Sequence, residues 1–172
     1  MNIKAAFFSI KAFVLDVDGV LTDGGILVTT TGEEYRVMNT KDGYAIQHAV
    51  KEGYFVFVIS GGKSEGVALR LQRLGAQEIH MGIHDKKTVL ATLLTRYGLA
   101  AEQVVYMGDD LPDLTAMPLA GLIACPADAV PEIKAIAHYH SSFSGGKGCV
   151  RDLIEQVLRL QGKWYASEVS SS

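Results

Sequence analysis

Residues 12–24 read AFVLDVDGVLTDG, in which a short apolar run leads directly into two carboxylates, Asp16 and Asp18. A continuous apolar run of this length is typical of a strand buried on both faces of a parallel sheet. Side chains two positions apart on an extended chain point the same way, so the two carboxylates are predicted to face one site. Because converging carboxylates repel unless a cation or a shared proton relieves them, the pair indicates a metal site or acid/base chemistry. A turn capped by an Asp side chain is the alternative interpretation.

The rest of the chain repeats this alternation of apolar runs and helical periodicity. The segments in order are FVFVIS (55–60), a helix over 64–74, a helix over 86–97, VVYMG (104–108), LIA (122–124) and a helix over 150–160. The alternation predicts right-handed crossovers and a mainly parallel sheet covered on both sides, which is a three-layer, Rossmann-like α/β fold. Ligands of such sheets bind outside the carboxyl ends of the strands, where Asp16, Ser60 and Asp109 fall.

One segment, GILVTTTGEEYRVM at 25–38, breaks the alternation. Its two β-rich runs around Thr-Thr-Gly-Glu predict a β-hairpin. Because the hairpin follows the first strand directly, we expect it to stand over the strand ends as a small flap, with no cap domain. We expect a single domain over 1–172, with a flexible tail at about 165–172.

Composition narrows the class of protein. The chain has 172 residues and a net charge of −3. It contains no basic run interleaved with aromatic residues, so we expect no nucleic-acid partner. The sequence contains neither a signal-type N-terminus nor an 18-residue apolar stretch, so we expect a cytoplasmic protein with no membrane partner. Cys125 and Cys149 lack metal-site spacing and fit reduced thiols in a core.

A second acidic group lies in GDDLPDL at 108–114, again directly after an apolar strand. Magnesium is commonly held by one or two carboxylates together with a phosphate and waters. Asp16 and Asp109 with a backbone carbonyl would meet that need. Asp110 and Asp113 could instead favour a helix start through the helix dipole, without any catalysis.

Neutral and cationic groups lie between the two acidic motifs. Ser60 is followed by Gly61 and Gly62, and its hydroxyl with free backbone N–H groups at a helix start could hold a phosphate. Lys86 opens the next helix and could neutralise both a phosphate and a nucleophilic carboxylate, although a solvated lysine is the ordinary alternative. Taken together, these groups supply the nucleophile, acid and cation that phosphoryl transfer through a carboxylate requires.

The chain resembles the haloacid dehalogenase-superfamily phosphatases, and within them the capless 3-deoxy-D-manno-octulosonate 8-phosphate (KDO 8-phosphate) phosphatases. The likeness covers about residues 11–160, and its most specific motifs are DVDGVLTDG (16–24), GDDLPDL (108–114) and GGKGCVRD (145–152). The resemblance implies that Asp16 attacks phosphorus, and that Asp18 protonates the sugar alkoxide and then activates water. It also implies a Mg²⁺ ion bound by Asp16, Asp109 and the backbone carbonyl of Asp18.

The same resemblance implies further roles. Ser60 and Lys86 would hold the phosphoryl oxygens, and Asp113 would orient the lysine or a water on the metal. The relatives are homotetramers whose hairpins meet at the centre and whose glycine-rich segment, here 145–151, approaches a neighbour's active site. The expected substrate contacts are Gly61, Gly62, Lys63, Tyr44, Lys147 and Arg151, although Tyr44 could equally pack at a helix start.

Two positions depart from the family pattern. The family often has Thr-Gly-Arg where this chain has Ser60-Gly61-Gly62, and its C-terminal motif commonly has arginine where Lys147 stands. Lysine does not replace arginine at a bidentate carboxylate site. A nine-carbon keto-deoxy sugar acid, of the KDN 9-phosphate type, is therefore the alternative substrate.

Two other protein classes are weighed against a phosphatase. A P-loop nucleotide binder would need a glycine at position 57, which is Phe57. A non-catalytic phosphoreceiver module would carry its phospho-accepting aspartate in mid-chain and its lysine late. In this chain the acids come first and again after Lys86, and Asp18 offers an acid/base that would hydrolyse a stored phosphate.

Overall fold

The computed structural model describes residues 1–165, and a six-stranded parallel sheet forms its centre. The strands of this sheet are β1 (Ala12–Leu15), β4 (Phe55–Ile59), β5 (Glu78–His80), β6 (Val104–Met107), β7 (Leu122–Cys125) and β8 (Tyr139–His140). The flap strands are β2 (Leu27–Val28) and β3 (Glu34–Tyr35). The helices are α1 (Ile3–Ser9), α2 (Thr40–Lys51), α3 (Glu65–Leu74), α4 (Lys86–Tyr97), α5 (Pro131–Ile136) and α6 (Cys149–Leu160). The strand order is β5-β4-β1-β6-β7-β8.

The central strand β1 is buried on both faces, as its apolar run predicts. Phe13 and Leu15 pack into one core cluster with α1, α2, α3 and α6. Ala12 and Val14 face the other cluster, to which α4 and α5 contribute. Burying one large apolar side chain stabilises a fold by roughly 1.5–3 kcal/mol, so both helical layers are held firmly. The predicted three-layer α/β architecture is confirmed.

The register of the sheet brings the functional segments to one edge. Leu15 pairs with Val58 of β4 and with Met107 of β6, so the three strands end at the same level. The residues that follow these strands therefore meet outside the carboxyl edge of the sheet. This arrangement positions Asp16, Ser60 and Asp109 around one depression.

The predicted hairpin is present as a separate two-stranded sheet. β2 and β3 are antiparallel, with Leu27 opposite Tyr35. The flap presents a row of apolar side chains to solvent, namely Ile26, Leu27, Val28, Tyr35 and Val37. Such an exposed apolar row on one hairpin is a feature of surfaces that bind another protein.

The predicted helix ends are confirmed at α3 and α4. The Ser64 hydroxyl accepts a hydrogen bond from Val67 N at 3.3 Å at the start of α3, and Gly98 follows the last residue of α4. The helices α1, α2 and α5 and the strands β5 and β8 were not predicted from the sequence. Within residues 1–165, no helix has the length and hydropathy that a membrane crossing requires. Beyond Tyr165, the expected flexible tail lies outside the described residues.

Candidate active site

Asp16 lies where β1 ends, and one of its two carboxylate oxygens is held by neighbouring groups. Its Oδ1 accepts hydrogen bonds from Val17 N at 2.7 Å and lies 3.1 Å from Lys86 Nζ. Burial and the charge of Asp113 raise the pKa of Asp16 to about 7, although Lys86 opposes this shift. The carboxylate is therefore a buried group whose charge needs further compensation.

Asp109 faces Asp16 from the segment after β6. Its Oδ1 is buried and has no hydrogen-bond partner among residues 1–165. Burial and the neighbouring Asp16 and Asp113 charges raise the pKa of Asp109 to about 8. Ligand oxygens of these three acids lie within 4.8 Å of one another, which is close enough for a shared cation. A buried carboxylate oxygen without a donor is the kind of group that a divalent ion satisfies.

Asp113 holds Lys86 in place. Its Oδ1 accepts from Lys86 Nζ at 2.8 Å and from the Tyr106 hydroxyl at 2.8 Å. Its Oδ2 accepts from Asp109 N at 3.2 Å. Because both of its oxygens already have protein donors, Asp113 is better suited to orienting Lys86 than to binding a metal. Asp16 and Asp109 are the acids suited to binding a metal ion.

Lys86 is a buried cation rather than the solvated lysine that was the alternative, and its side chain is 2% exposed. Burial alone would lower the pKa of Lys86, but the adjacent Asp16 and Asp113 carboxylates outweigh it and raise the pKa. The lysine therefore stays charged and compensates two acids at once. Tyr106, which shares Asp113 with it, was not predicted from the sequence, because only the sheet register shows which way a strand residue points.

A glycine allows the loop after β1 to approach Asp109. Gly19 has a φ of +87°, and a Cβ built at this position would overlap the Asp109 carboxylate. A side chain here would be strained in its backbone and would displace the acid. The Thr22 hydroxyl accepts hydrogen bonds from Gly19 N at 3.4 Å and from Gly24 N at 3.2 Å, so the loop is fixed internally.

These groups line a cavity of about 300 Å³ at the edge of the sheet. Its lining comprises Asp16, Asp18, Gly19, Gly24, Ser60, Gly61, Gly62, Lys86, Asp109, Asp110 and Pro112. The Ser60 hydroxyl accepts a hydrogen bond from Gly62 N at 3.2 Å and is buried beside the acids. The structure therefore brings together the predicted nucleophile, acid/base, phosphate-binding and metal-binding residues in one place.

Asp18 has a partner that the sequence did not reveal. Arg36 Nε donates to Asp18 Oδ1 at 2.7 Å, and Arg36 Nη2 donates to Asp18 Oδ2 at 3.2 Å. Nothing in the local pattern of the flap distinguishes Arg36 from an ordinary surface arginine. Only the expectation that the hairpin covers the strand ends could have indicated that a flap residue reaches Asp18.

Several predicted substrate contacts lie away from this cavity. The Arg151 guanidinium is 5.9 Å from the ring centroid of Tyr44 and 5.4 Å from that of Trp164. Lys147 lines a separate groove beside Arg151. Lys63 lines a cavity of about 730 Å³ between the flap and α3, next to the catalytic one.

The glycine-rich segment packs on the loop after β1 of its own chain. Gly146 N donates to Val20 O at 2.9 Å, and a Cβ at Gly145 would overlap the Gly19 carbonyl. The Cys149 thiol also contacts Val20 O at 3.2 Å. Small residues are therefore needed here for close backbone packing.

Comparisons with known proteins agree with this geometry. A family model described as haloacid dehalogenase-like hydrolase matches residues 74–150. The chain is 37% identical, over 94% of its length and 86% of the relative, to the 3-deoxy-D-manno-octulosonate 8-phosphate phosphatase KdsC of Escherichia coli (strain B / BL21-DE3). The structure of that phosphatase from Yersinia pestis superimposes with a TM-score of 0.91 at 34% identity, covering 94% of this chain and 87% of that one. The phosphatase of Moraxella catarrhalis, solved with magnesium, phosphate and KDO, gives a TM-score of 0.90 at 33% identity, covering 94% and 93%.

Proposed function

Because the chain belongs to the 3-deoxy-D-manno-octulosonate 8-phosphate phosphatases of the haloacid dehalogenase-like hydrolases, we propose that it hydrolyses KDO 8-phosphate to KDO and phosphate. It is a phosphoric monoester hydrolase. The observation that carries the assignment is the cavity in which Asp16, hydrogen-bonded through one oxygen, faces Asp109. The buried Oδ1 of Asp109 has no hydrogen-bond partner in the described part of the chain. We assign the activity to one domain formed by the whole chain.

In the first half of the reaction, Asp16 is the nucleophile. Since Val17 N and Lys86 hold Oδ1, the other oxygen, Oδ2, is available to attack phosphorus. The new bond joins Asp16 Oδ2 to phosphorus as the bond between phosphorus and the sugar oxygen breaks. Asp18 gives its proton to the departing oxygen, which leaves as the sugar hydroxyl.

In the second half, water hydrolyses the aspartyl-phosphate. Asp18, now a carboxylate, takes a proton from the water as its oxygen attacks phosphorus. The bond from phosphorus to Asp16 breaks, and inorganic phosphate leaves. Splitting one displacement into two through a carboxylate lowers the barrier of each step.

The other residues of the cavity position and neutralise the phosphoryl group. Lys86, held by Asp113 at 2.8 Å, and the Ser60 hydroxyl would contact its oxygens. Backbone N–H groups at Gly61 and Gly62 add donors. Asp16, Asp109 and the backbone carbonyl of Asp18 would hold Mg²⁺, which stabilises negative charge on the transferring group when bound.

We further propose a homotetramer in which the flaps of four chains meet. The support is the exposed apolar row of the flap, in which Leu27 is 68% and Val37 is 83% exposed. In such an assembly, Lys147, Arg151 and Tyr44, which lie outside their own chain's cavity, would serve a neighbour's substrate. Lys63 lies beside its own chain's cavity and would contact the substrate there. Two buried free thiols support a cytoplasmic location.

The alternative substrate is the nine-carbon sugar acid phosphate. It is favoured by Gly62 and Lys147, which stand where the family often carries arginine, because lysine or glycine does not replace arginine in binding a carboxylate. The test is release of phosphate by the purified chain with Mg²⁺ from eight-carbon and nine-carbon keto acid phosphates. A higher kcat/KM for the eight-carbon compound supports the assignment, whereas the reverse preference would replace the substrate and retain the reaction.

A further inference from the structure

Arg36 connects the flap to the loop that carries Asp18. Its Nε and Nη2 bind the two oxygens of the Asp18 carboxylate at 2.7 and 3.2 Å. The Arg36 side chain is 3% exposed, whereas that of Asp18 is 31% exposed. Because the planar guanidinium engages both oxygens at once, it fixes the plane of the carboxylate as well as its position.

Gly62 provides the space in which this ion pair lies. A Cβ at position 62 would stand 2.8 Å from Asp18 Oδ2 and 3.1 Å from Arg36 Nη2. A contact as short as 2.8 Å forces a neighbouring group to move. A side chain at position 62 would therefore displace the Asp18 carboxylate and the Arg36 guanidinium. The glycine at position 62 and the arginine on the flap are therefore matched features of this chain.

The third nitrogen of Arg36, Nη1, is the one that does not bind Asp18. Nη1 is buried and has no hydrogen-bond partner in the part of the chain that the structure describes. A buried donor without an acceptor is costly, so it is usually satisfied by a water molecule or a ligand. Arg36 also lines the larger cavity between the flap and α3, which adjoins the catalytic cavity at Asp18 and Gly62.

We propose that Arg36 is the positioning residue for Asp18. It holds the Asp18 side chain next to Gly62. While Asp18 carries the proton for the leaving sugar oxygen, its unprotonated oxygen keeps one contact with Arg36, and the ionised carboxylate that then takes a proton from water has both contacts. This inference rests on the proposed phosphatase function and assigns Arg36 a role within it. Since Arg36 acts through Asp18, its loss affects most the substrates whose leaving oxygen depends on proton transfer.

The test compares kcat/KM, which reports formation of the aspartyl-phosphate, for two substrates. One is KDO 8-phosphate, and the other is p-nitrophenyl phosphate, whose phenolate leaves with little need of a proton. We expect Arg36→Ala to lower kcat/KM for the sugar phosphate by about 10- to 100-fold, with a smaller loss for p-nitrophenyl phosphate. Added guanidinium ion at a concentration that leaves the protein folded should restore part of the activity.

Two further variants sharpen the test. Glu34→Gln removes a carboxylate that lies 3.5 Å from Arg36 Nη2 and does not bind Asp18, so it should stay within about twofold of the wild type. If Arg36→Ala does not fold, Arg36→Lys carries the same substrate comparison, because it keeps the charge and loses the paired contact.

Equal losses on both substrates, or a loss below twofold in a folded Arg36 variant, would overturn the inference. These results differ from a failure of the proposed function. In that case the wild-type chain would release no phosphate, or Asp16→Asn would remain active.

Discussion

The acid cluster at the sheet edge and the flap above it are built in opposite ways. In the cluster, Asp16, Lys86 and Asp113 are almost completely buried and hold one another. The flap is a two-stranded hairpin with exposed apolar side chains, and Arg36 is its buried contact with Asp18. The difference separates two tasks, because a rigid, charged cluster suits phosphoryl transfer, whereas a hairpin projecting into solvent can adapt to a substrate or to another chain.

The strongest test of the cluster is Asp16→Asn. We expect turnover to fall by about 10⁴-fold or more, because the amide cannot act as the nucleophile. The fold should remain, since the burial that raises the pKa of Asp16 makes its charge unfavourable in the folded chain. Phosphate release and thermal unfolding of the same preparation measure both effects. Near-normal turnover would reject Asp16 as the nucleophile.

The second test removes the cation at the centre of the cluster. Lys86→Met leaves Asp16 and Asp113 buried without their counter-charge, and we expect a loss of about 3–5 kcal/mol in the free energy of unfolding. Lys87→Met is the matched control, because Lys87 is exposed at the next position, and it should change stability by less than about 0.5 kcal/mol. Urea unfolding of both variants gives the comparison, and equal stabilities would contradict a structural ion network.

The third test uses pH and metal together. The raised pKa values, about 7 for Asp16 and about 8 for Asp109, mean that the folded chain binds protons more tightly than the unfolded chain. Without metal, stability should therefore be highest at acidic pH and fall as pH rises from about 4 through 8. Mg²⁺ requires the carboxylates deprotonated, so it should raise Tm more at pH 8 than at pH 5.5.

Calorimetry with Mg²⁺ and with a chelator measures this difference. Asp109→Asn is the control variant, in which the metal-dependent rise in Tm should disappear. A rise in Tm that is the same at both pH values would contradict binding through these two acids.

The smallest effect on the single chain is expected in the flap. If the proposed homotetramer forms through the flap, Leu27→Glu should convert it to smaller species. The stability of the separated chain should change by less than about 0.5 kcal/mol, because Leu27 is 68% exposed. Light scattering coupled to size-exclusion chromatography gives the mass, and Thr30→Glu on the same hairpin is the control. An unchanged mass for Leu27→Glu would place the interface elsewhere.

The same contrast explains what the sequence could predict. The acids, Ser60 and Lys86 follow strand ends or begin helices, so the rules of parallel sheets place them at one edge without knowledge of any contact. Tyr106 and Arg36 escaped prediction because their roles depend on the register of β6 and on the position of the flap. These are long-range features that local patterns do not contain.

The substrate contacts were less predictable for a related reason. Tyr44 and Arg151 lie together beside Trp164, and the local sequence of neither residue indicates this pairing. A resemblance transfers residue identities, but the direction of a side chain depends on what packs around it. Their proposed roles therefore depend on assembly with a neighbouring chain.

The packing of the glycine-rich segment on the loop after β1 has a consequence for synthesis. The proposed catalytic residues all lie between Asp16 and Asp113, yet the loop bearing Asp18 is bound by Gly146 and Cys149. A nascent chain on the ribosome thus displays the full set of reactive groups well before the backbone that fixes them has emerged. We expect such chains to stay inert until residues 146–149 have emerged.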